Sequence, residues 1–148
     1  MPKQFIALLF FSLLLISTLF AQQFNQQPQH AIPLPEFSLP DTAGVVHSIS
    51  EWQGKIIVIN LWATWCPPCL QEIPEFIQIQ AEYADQNVQF IGIAIDEPEL
   101  VNDYISFINI NYPILIATTE GGKLSQRLGN TMSAIPFTAI VNQQQEIM

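Results

Sequence analysis

Positive charge is scarce in this sequence. Its 148 residues carry four Lys and Arg against thirteen Asp and Glu, for a formal net charge of -9. Lys3 lies in an apolar leader, so the rest of the chain keeps only Lys55, Lys123 and Arg127. A surface built to neutralise a phosphate backbone is thereby excluded, and nucleic acid with it. Acidity of this kind favours a basic partner but selects none. Cysteine is scarcer still, with Cys66 and Cys69 alone. A structural zinc site needs further ligands, and His30 and His47 have no paired spacing, so no metal is expected. No cysteine follows the leader, which excludes lipid modification there. No internal repeat is present. Charged residues make up 11% and hydrophobic residues 49%, so the bulk of the chain reads as one globular domain rather than disordered sequence.

The leader itself, Met1 to Ala21, has one cation and then an apolar run from Phe5 to Phe20 broken by Ser12, Ser17 and Thr18. That is a signal-peptide pattern, with small Ala21 at the cleavage point. The run is shorter than the ~20 residues that span a bilayer, which favours cleavage over an uncleaved anchor. Either outcome puts the domain outside the cytoplasm, in a periplasm or its equivalent, and confines membrane contact to residues 1–21. Disulfides persist or are exchanged in such compartments. Residues 22–34, rich in Gln and Pro, read as a flexible linker and residues 35–148 as the folded domain.

Within that domain, Glu36 to Leu39, a turn at Asp41 to Gly44, and Val45 to Ile49 form a short hairpin pattern. The apolar run Ile56, Ile57, Val58, Ile59 suits a strand covered on both faces. From the cysteines to about Ala84, Leu70, Ile73, Phe76, Ile77, Ala81 and Ala84 recur at helical spacing, and Pro74 predicts a kink. Val88 to Ile95 is a second buried strand. Pro98 opens a helix in which Leu100 or Val101, Tyr104 and Ile108 share a face. Ile114 to Ala117, Gly122 to Leu128 and Phe137 to Val141 then read as strand, helix and strand, with Gly129 ending the helix. Alternation of this kind is an α/β order. The last residues, Val141 to Met148, read as the end of one strand, a turn and the start of another, with no closing helix. A fragment or an early stop is the expectation.

The chemistry lies in Trp65-Cys66-Pro67-Pro68-Cys69. Two cysteines with this spacing close a small ring when the first sits at a helix N-terminus and the second one turn inside. Free backbone N–H groups and the helix dipole then stabilise a Cys66 thiolate, lowering its pKa from about 8.5. Cys66 would attack a substrate disulfide, and Cys69 would resolve the mixed disulfide. A purely structural bridge is a weak reading, because so short a loop restricts the unfolded chain very little. Trp65 beside the nucleophile offers a flat apolar contact to a substrate. Pro67 and Pro68 fix the backbone between the sulfurs and tune the potential. Trp62 reads as core.

The run Asn60-Leu61-Trp62-Ala63-Thr64-Trp65-Cys66-Pro67-Pro68-Cys69 resembles the active-site strand and helix of the TlpA/ResA/CcmG group of exported thioredoxin-like proteins, and the resemblance extends over most of the chain. It implies a thioredoxin-like α/β fold: a central mixed sheet flanked by helices, an N-terminal β-hairpin, and here a missing C-terminal strand and helix. It also implies thiol:disulfide oxidoreductase activity, with the Cys66–Cys69 disulfide as the redox group and no other cofactor. Protein thiols and disulfides would be the substrates and a membrane electron donor the upstream partner. Reduction of apocytochrome c haem-binding thiols is the pathway it points to. Pro74 falls where the group kinks its first helix. Ile135-Pro136 resembles its cis-proline, with the edge at Ile135 free to pair with an extended substrate. Asp96-Glu97 resembles the strand end where some members place a functional glutamate.

Departures follow as well. Cytoplasmic thioredoxins carry a buried aspartate where this chain has Asn60, which cannot accept a proton. Glu97 is therefore the expected proton acceptor for Cys69. The turn Asn142-Gln143-Gln144-Gln145-Glu146 lacks the group's usual glycine. Ala63-Thr64-Trp65-Cys66 lacks the proline-threonine-cysteine pocket of a peroxidase. An oxidant or general thiol exchanger, and a redox-inert binding module using the groove beside Pro136, are the alternatives to a reductase.

Overall fold

A computed structural model describes residues 32–148. The leader and most of the linker, residues 1–31, lie outside the described residues. The strands are β1 (Ile32–Pro33), β2 (Ser38–Pro40), β3 (Val46–Ser48), β4 (Ile56–Trp62), β5 (Val88–Ala94), β6 (Ile114–Ile116), β7 (Phe137–Val141) and β8 (Glu146–Ile147). The helices are α1 (Pro67–Tyr83), α2 (Pro98–Phe107) and α3 (Gly121–Arg127).

One six-stranded sheet runs β1-β8-β7-β4-β5-β6, and β2 pairs with β3 in a separate hairpin. β4, β5 and β6 are parallel, whereas β7 lies antiparallel to β4. The mixed sheet and hairpin are those expected. Side-chain alternation divides the core between the two faces. Ile57, Ile59 and Leu61 of β4 join Ile91, Ile93 and Leu115 under the hairpin and α3. Trp62, Phe90, Ala94 and Ile116 join Cys66, Cys69, Ile73 and Val101 on the face of α1 and α2.

Several local expectations change. Ile32 and Pro33 pair with Ile147 and Glu146, and the buried Leu34 donates its N–H to the Gln145 carbonyl at 2.8 Å. The end of the linker, assigned as residues 22–34, is thus sheet. The strand start expected after the turn is β8, which pairs between β1 and β7. At the glycine-less turn, Gln145 itself takes the left-handed conformation, φ 63°. Asn142 makes this tolerable: its side-chain oxygen accepts from the N–H groups of Gln144 and Glu146.

In α1, Ala81 and Ala84 are exposed, and Gln80 takes the buried position instead. Strand β6 reaches only Gly92 to Ala94 of β5, which leaves the outer edge of β5 open further back. Gln80 closes that edge, its Oε1 accepting from Phe90 N–H at 2.6 Å and its amide donating to Val88 O at 3.3 Å. In α2, Val101 is fully buried and Leu100 half-exposed, which decides between the two.

Candidate active site

Strand β4 delivers the chain to the site and a tight turn follows it. Cys66 N–H donates to Ala63 O at 3.2 Å, and Leu70 N–H donates to Cys66 O at 3.2 Å as α1 begins. Cys66 occupies the N-cap position in extended conformation. Cys66 and Cys69 form a disulfide with Cα atoms 5.3 Å apart. Both are buried, at 3% and 1% exposure, so solvent exposure does not tell the two sulfurs apart, whereas the N-cap position of Cys66 does. Trp65, 64% exposed, stands beside them as an apolar surface.

The two prolines change what the helix end can offer. Pro67 and Pro68 occupy its first two positions and carry no N–H. Cys66 N–H is spent on Ala63. The first helical residue with an N–H is Cys69, so the expected set of free donors around a Cys66 thiolate shrinks to little more than that one group and the dipole.

Asp96 and Glu97 follow β5, and the structure sends them different ways. Asp96 is 8% exposed, and its carboxylate accepts Thr64 N–H at 2.9 Å, the Thr64 hydroxyl, and Glu97 N–H at 2.9 Å. Burial pushes this carboxyl up, but the hydrogen bonds from Thr64 and Glu97 outweigh it and hold it below the usual carboxylate value. Glu97 is exposed at the N-cap of α2 and makes no side-chain cap bond. The residue that grips the cysteine loop is therefore Asp96, which sequence reasoning passed over. A signal was available: counting by two from Phe90 and Ala94 puts residue 96 on the α1 face.

Asn60 is buried and donates to Thr138 Oγ1 at 3.2 Å, tying β4 to β7. That tie runs across the register Asn60↔Thr138, and Leu61↔Phe137 follows. Ile135 and Pro136 therefore arrive at the end of β4 where the cysteine turn begins. The Ile135–Pro136 peptide is cis, and Ile135 packs against the cluster that contains both cysteines. A second residue missed in the sequence supports this loop. Asn130, 5% exposed, donates to Ser125 Oγ at 2.8 Å and to Ala134 O at 2.7 Å. Among the described residues no group of three or more His, Cys, Asp and Glu side chains is arranged to hold a metal ion.

Residues 29–148 match the Redoxin family. The thiol-disulfide oxidoreductase ResA of Halalkalibacterium halodurans is 32% identical over 113 residues, covering 76% of this chain and 62% of that protein. The thioredoxin-like protein YneN of Bacillus subtilis is 37% identical over 86 residues, covering 55% and 50%. The chain thus spans about 62% of the first relative's length and half of the second's. Among solved structures, the thiol:disulfide interchange protein of the thioredoxin family from Chlorobium tepidum TLS superposes with a TM-score of 0.71 at 30% identity, covering 80% of this chain and 83% of that one.

Proposed function

Because the chain belongs to the Redoxin family and has a thioredoxin-like fold, we propose that it is a thiol:disulfide oxidoreductase working on exported proteins through Cys66 and Cys69. The observation that carries this is the disulfide itself, closed across the first turn of α1 with Cys66 at the N-cap. In the reducing direction the Cys66 thiolate attacks one sulfur of a substrate disulfide. The substrate S–S bond breaks and its other sulfur leaves as a thiolate that takes up a proton. Cys69, deprotonated in turn, attacks Cys66 Sγ and expels the second substrate thiolate, which is also protonated. Two electrons have passed to the substrate, and Cys66–Cys69 is again a disulfide. An external dithiol, such as that of a membrane electron donor, must reduce it for another cycle.

The direction we propose is reductive. A couple is oxidising when its reduced form is stabilised, as by a well-supported thiolate. Here Pro67 and Pro68 remove two N–H donors from the helix end, so the thiolate is less supported and the couple more reducing. Trp65 supplies an exposed apolar contact, and the backbone at Ile135, before Pro136, supplies an edge for an extended substrate. Glu97 is the proposed proton acceptor for Cys69. In support, the Asp96 bonds to Thr64 draw the end of β5 against the cysteine turn, and Glu97 has no cap bond to occupy it. Reduction of apocytochrome c thiols is the pathway suggested by the sequence resemblance. The signal-peptide pattern of residues 1–21 supports an extracytoplasmic location, and no described helix is long and apolar enough to cross a membrane.

The deciding experiment is the reduction potential of the purified protein, with reduction of insulin disulfides as the activity. On a two-electron couple ~60 mV is a hundredfold in equilibrium. A potential near that of thioredoxin, about -270 mV, with insulin reduced, fits the reductase. A potential near -120 mV would make it an oxidant. No exchange at all would leave a binding module.

A further inference from the structure

The carboxylate of Asp96 is held by three donors: the N–H and the hydroxyl of Thr64 and the N–H of Glu97. Thr64 bonds one carboxylate oxygen and Glu97 the other, so both oxygens must accept. An ionised aspartate meets this demand with both oxygens, and the same donors hold the carboxyl below its usual value. A neutral acid or an asparagine would turn a donor toward one of these donors. The fold therefore places an ionised carboxylate, 8% exposed, under the turn that ends in Cys66. Thr64 lies two residues before Cys66, inside the turn closed by the Cys66 N–H bond to Ala63 O. The support behind it is buried. Asp96 follows fully buried Ile93 and Ala94, and its own carbonyl accepts from Thr118 Oγ1.

A buried charge is screened far less than a surface one. Close to the point where a thiolate must form, a negative charge disfavours that thiolate. The dithiol form is then the less stable partner and the couple is more reducing. The cations among the described residues do not offset it. Lys55 precedes β4 at the far end of the strand and bonds Gln89, Arg127 bonds the Glu36 carbonyl, and Lys123 lies on α3.

We propose that Asp96 is the positioning residue of this site: it clamps the Ala63–Cys66 turn through Thr64, and its charge holds the Cys66–Cys69 couple on the reducing side. The proposal rests on the thiol-exchange reading above and adds to it a charge that acts in the same direction as the two prolines.

The test is the equilibrium of the full-length protein with glutathione at pH 7. Two glutathione thiols are oxidised to one glutathione disulfide, while the Cys66–Cys69 bond takes up two electrons and two protons. Asp96→Asn removes the charge and is expected to raise the equilibrium constant for dithiol formation about tenfold, which is about 30 mV more positive. Thr64→Val keeps the charge but removes a donor that partly neutralises it, so the constant is expected to fall, by about threefold, the opposite sign. A merely structural role predicts no such opposition. An unmoved or more negative potential in Asp96→Asn, or an unmoved or more positive one in Thr64→Val, overturns the proposal. Should Asp96→Asn fail to fold, Thr64→Val decides by the same criterion. Wild-type protein that never equilibrates with glutathione would remove the thiol-exchange reading itself; exchange with unmoved potentials removes only the role of Asp96.

Discussion

At the scale of single residues, the proposed site divides into the two cysteines and the groups that hold them. Cys66 and Cys69 were legible because their spacing has few other uses, and Pro136 because a proline after Ile135 resembles a known pattern. Asp96 and Asn130 were not. Each is a buried polar side chain whose partners come from another segment: Asp96 bonds Thr64 across 32 residues, and Asn130 bonds Ser125 and Ala134 around a loop. Strand alternation gives the face on which Asp96 lies, but nothing local marks the partners of either residue, because these are decided by the fold. The two carboxylates that follow β5 illustrate this. They are adjacent in sequence, yet one is gripped by three donors and the other stands in solvent at the start of α2. The free one, Glu97, is the proton acceptor proposed for Cys69. Glu97→Gln is expected to keep the fold and slow resolution of a preformed mixed disulfide near neutral pH on the order of tenfold, below the range of a fully positioned base because Glu97 is exposed. Single-turnover exchange measures it, and equal rates in the variant would make Glu97 a solvated cap residue only.

Among elements, periodicity located the long pieces and missed what joins them. β4, β5, α1 and α2 lie close to where apolar spacing put them, since each buries a face large enough to print a period. Gln80 was invisible to that method because its buried position is polar, and only the short reach of β6 creates the need for it. The loop before Ile135 depends similarly on Asn130. Asn130→Ala leaves the Ala134 carbonyl and Ser125 hydroxyl without this partner, and a loss of about 1–3 kcal/mol in denaturant unfolding is expected. Substrate KM should rise, while alkylation of reduced Cys66 proceeds at the wild-type rate; equal KM would separate this loop from substrate binding.

The hairpin has its own clasp. His47 Nδ1 lies 2.9 Å from Glu51 Oε2 and its Nε2 3.4 Å from Asp41 Oδ2. The hydrogen bond to Glu51 is the chief cause raising the His47 pKa above 6.5, and the bond from His47 the chief cause lowering Glu51 below 4.5. The histidine contribution is full below its unfolded value and is lost as pH rises through the folded one. The Glu51 contribution is present above its unfolded value and lost as pH falls through the folded one. Wild type should therefore exceed His47→Ala in melting temperature most between pH 4.5 and 6.5, and the pH-dependent part of the difference should vanish in alkali. A difference that is flat with pH would mean that His47 contributes only its packing on Trp52.

For the molecule as a whole, the sheet brings three distant segments to one end: the cysteine turn after β4, Asp96 after β5 and Ile135–Pro136 before β7. Parallel pairing of β4 with β5 and antiparallel pairing with β7 produce this convergence. The fold class was readable from the alternation of elements, but the capture of residues 32–34 by β8 was not, because a two-residue strand prints no pattern. What the convergence is for can be asked directly. Reduced Cys66→Ser and Cys69→Ser proteins are each offered a disulfide-containing protein substrate, and covalent complexes are counted by mass spectrometry. With Cys66 attacking and Cys69 resolving, Cys69→Ser accumulates the mixed disulfide and Cys66→Ser does not. Equal trapping by both variants, or by neither, contradicts the account.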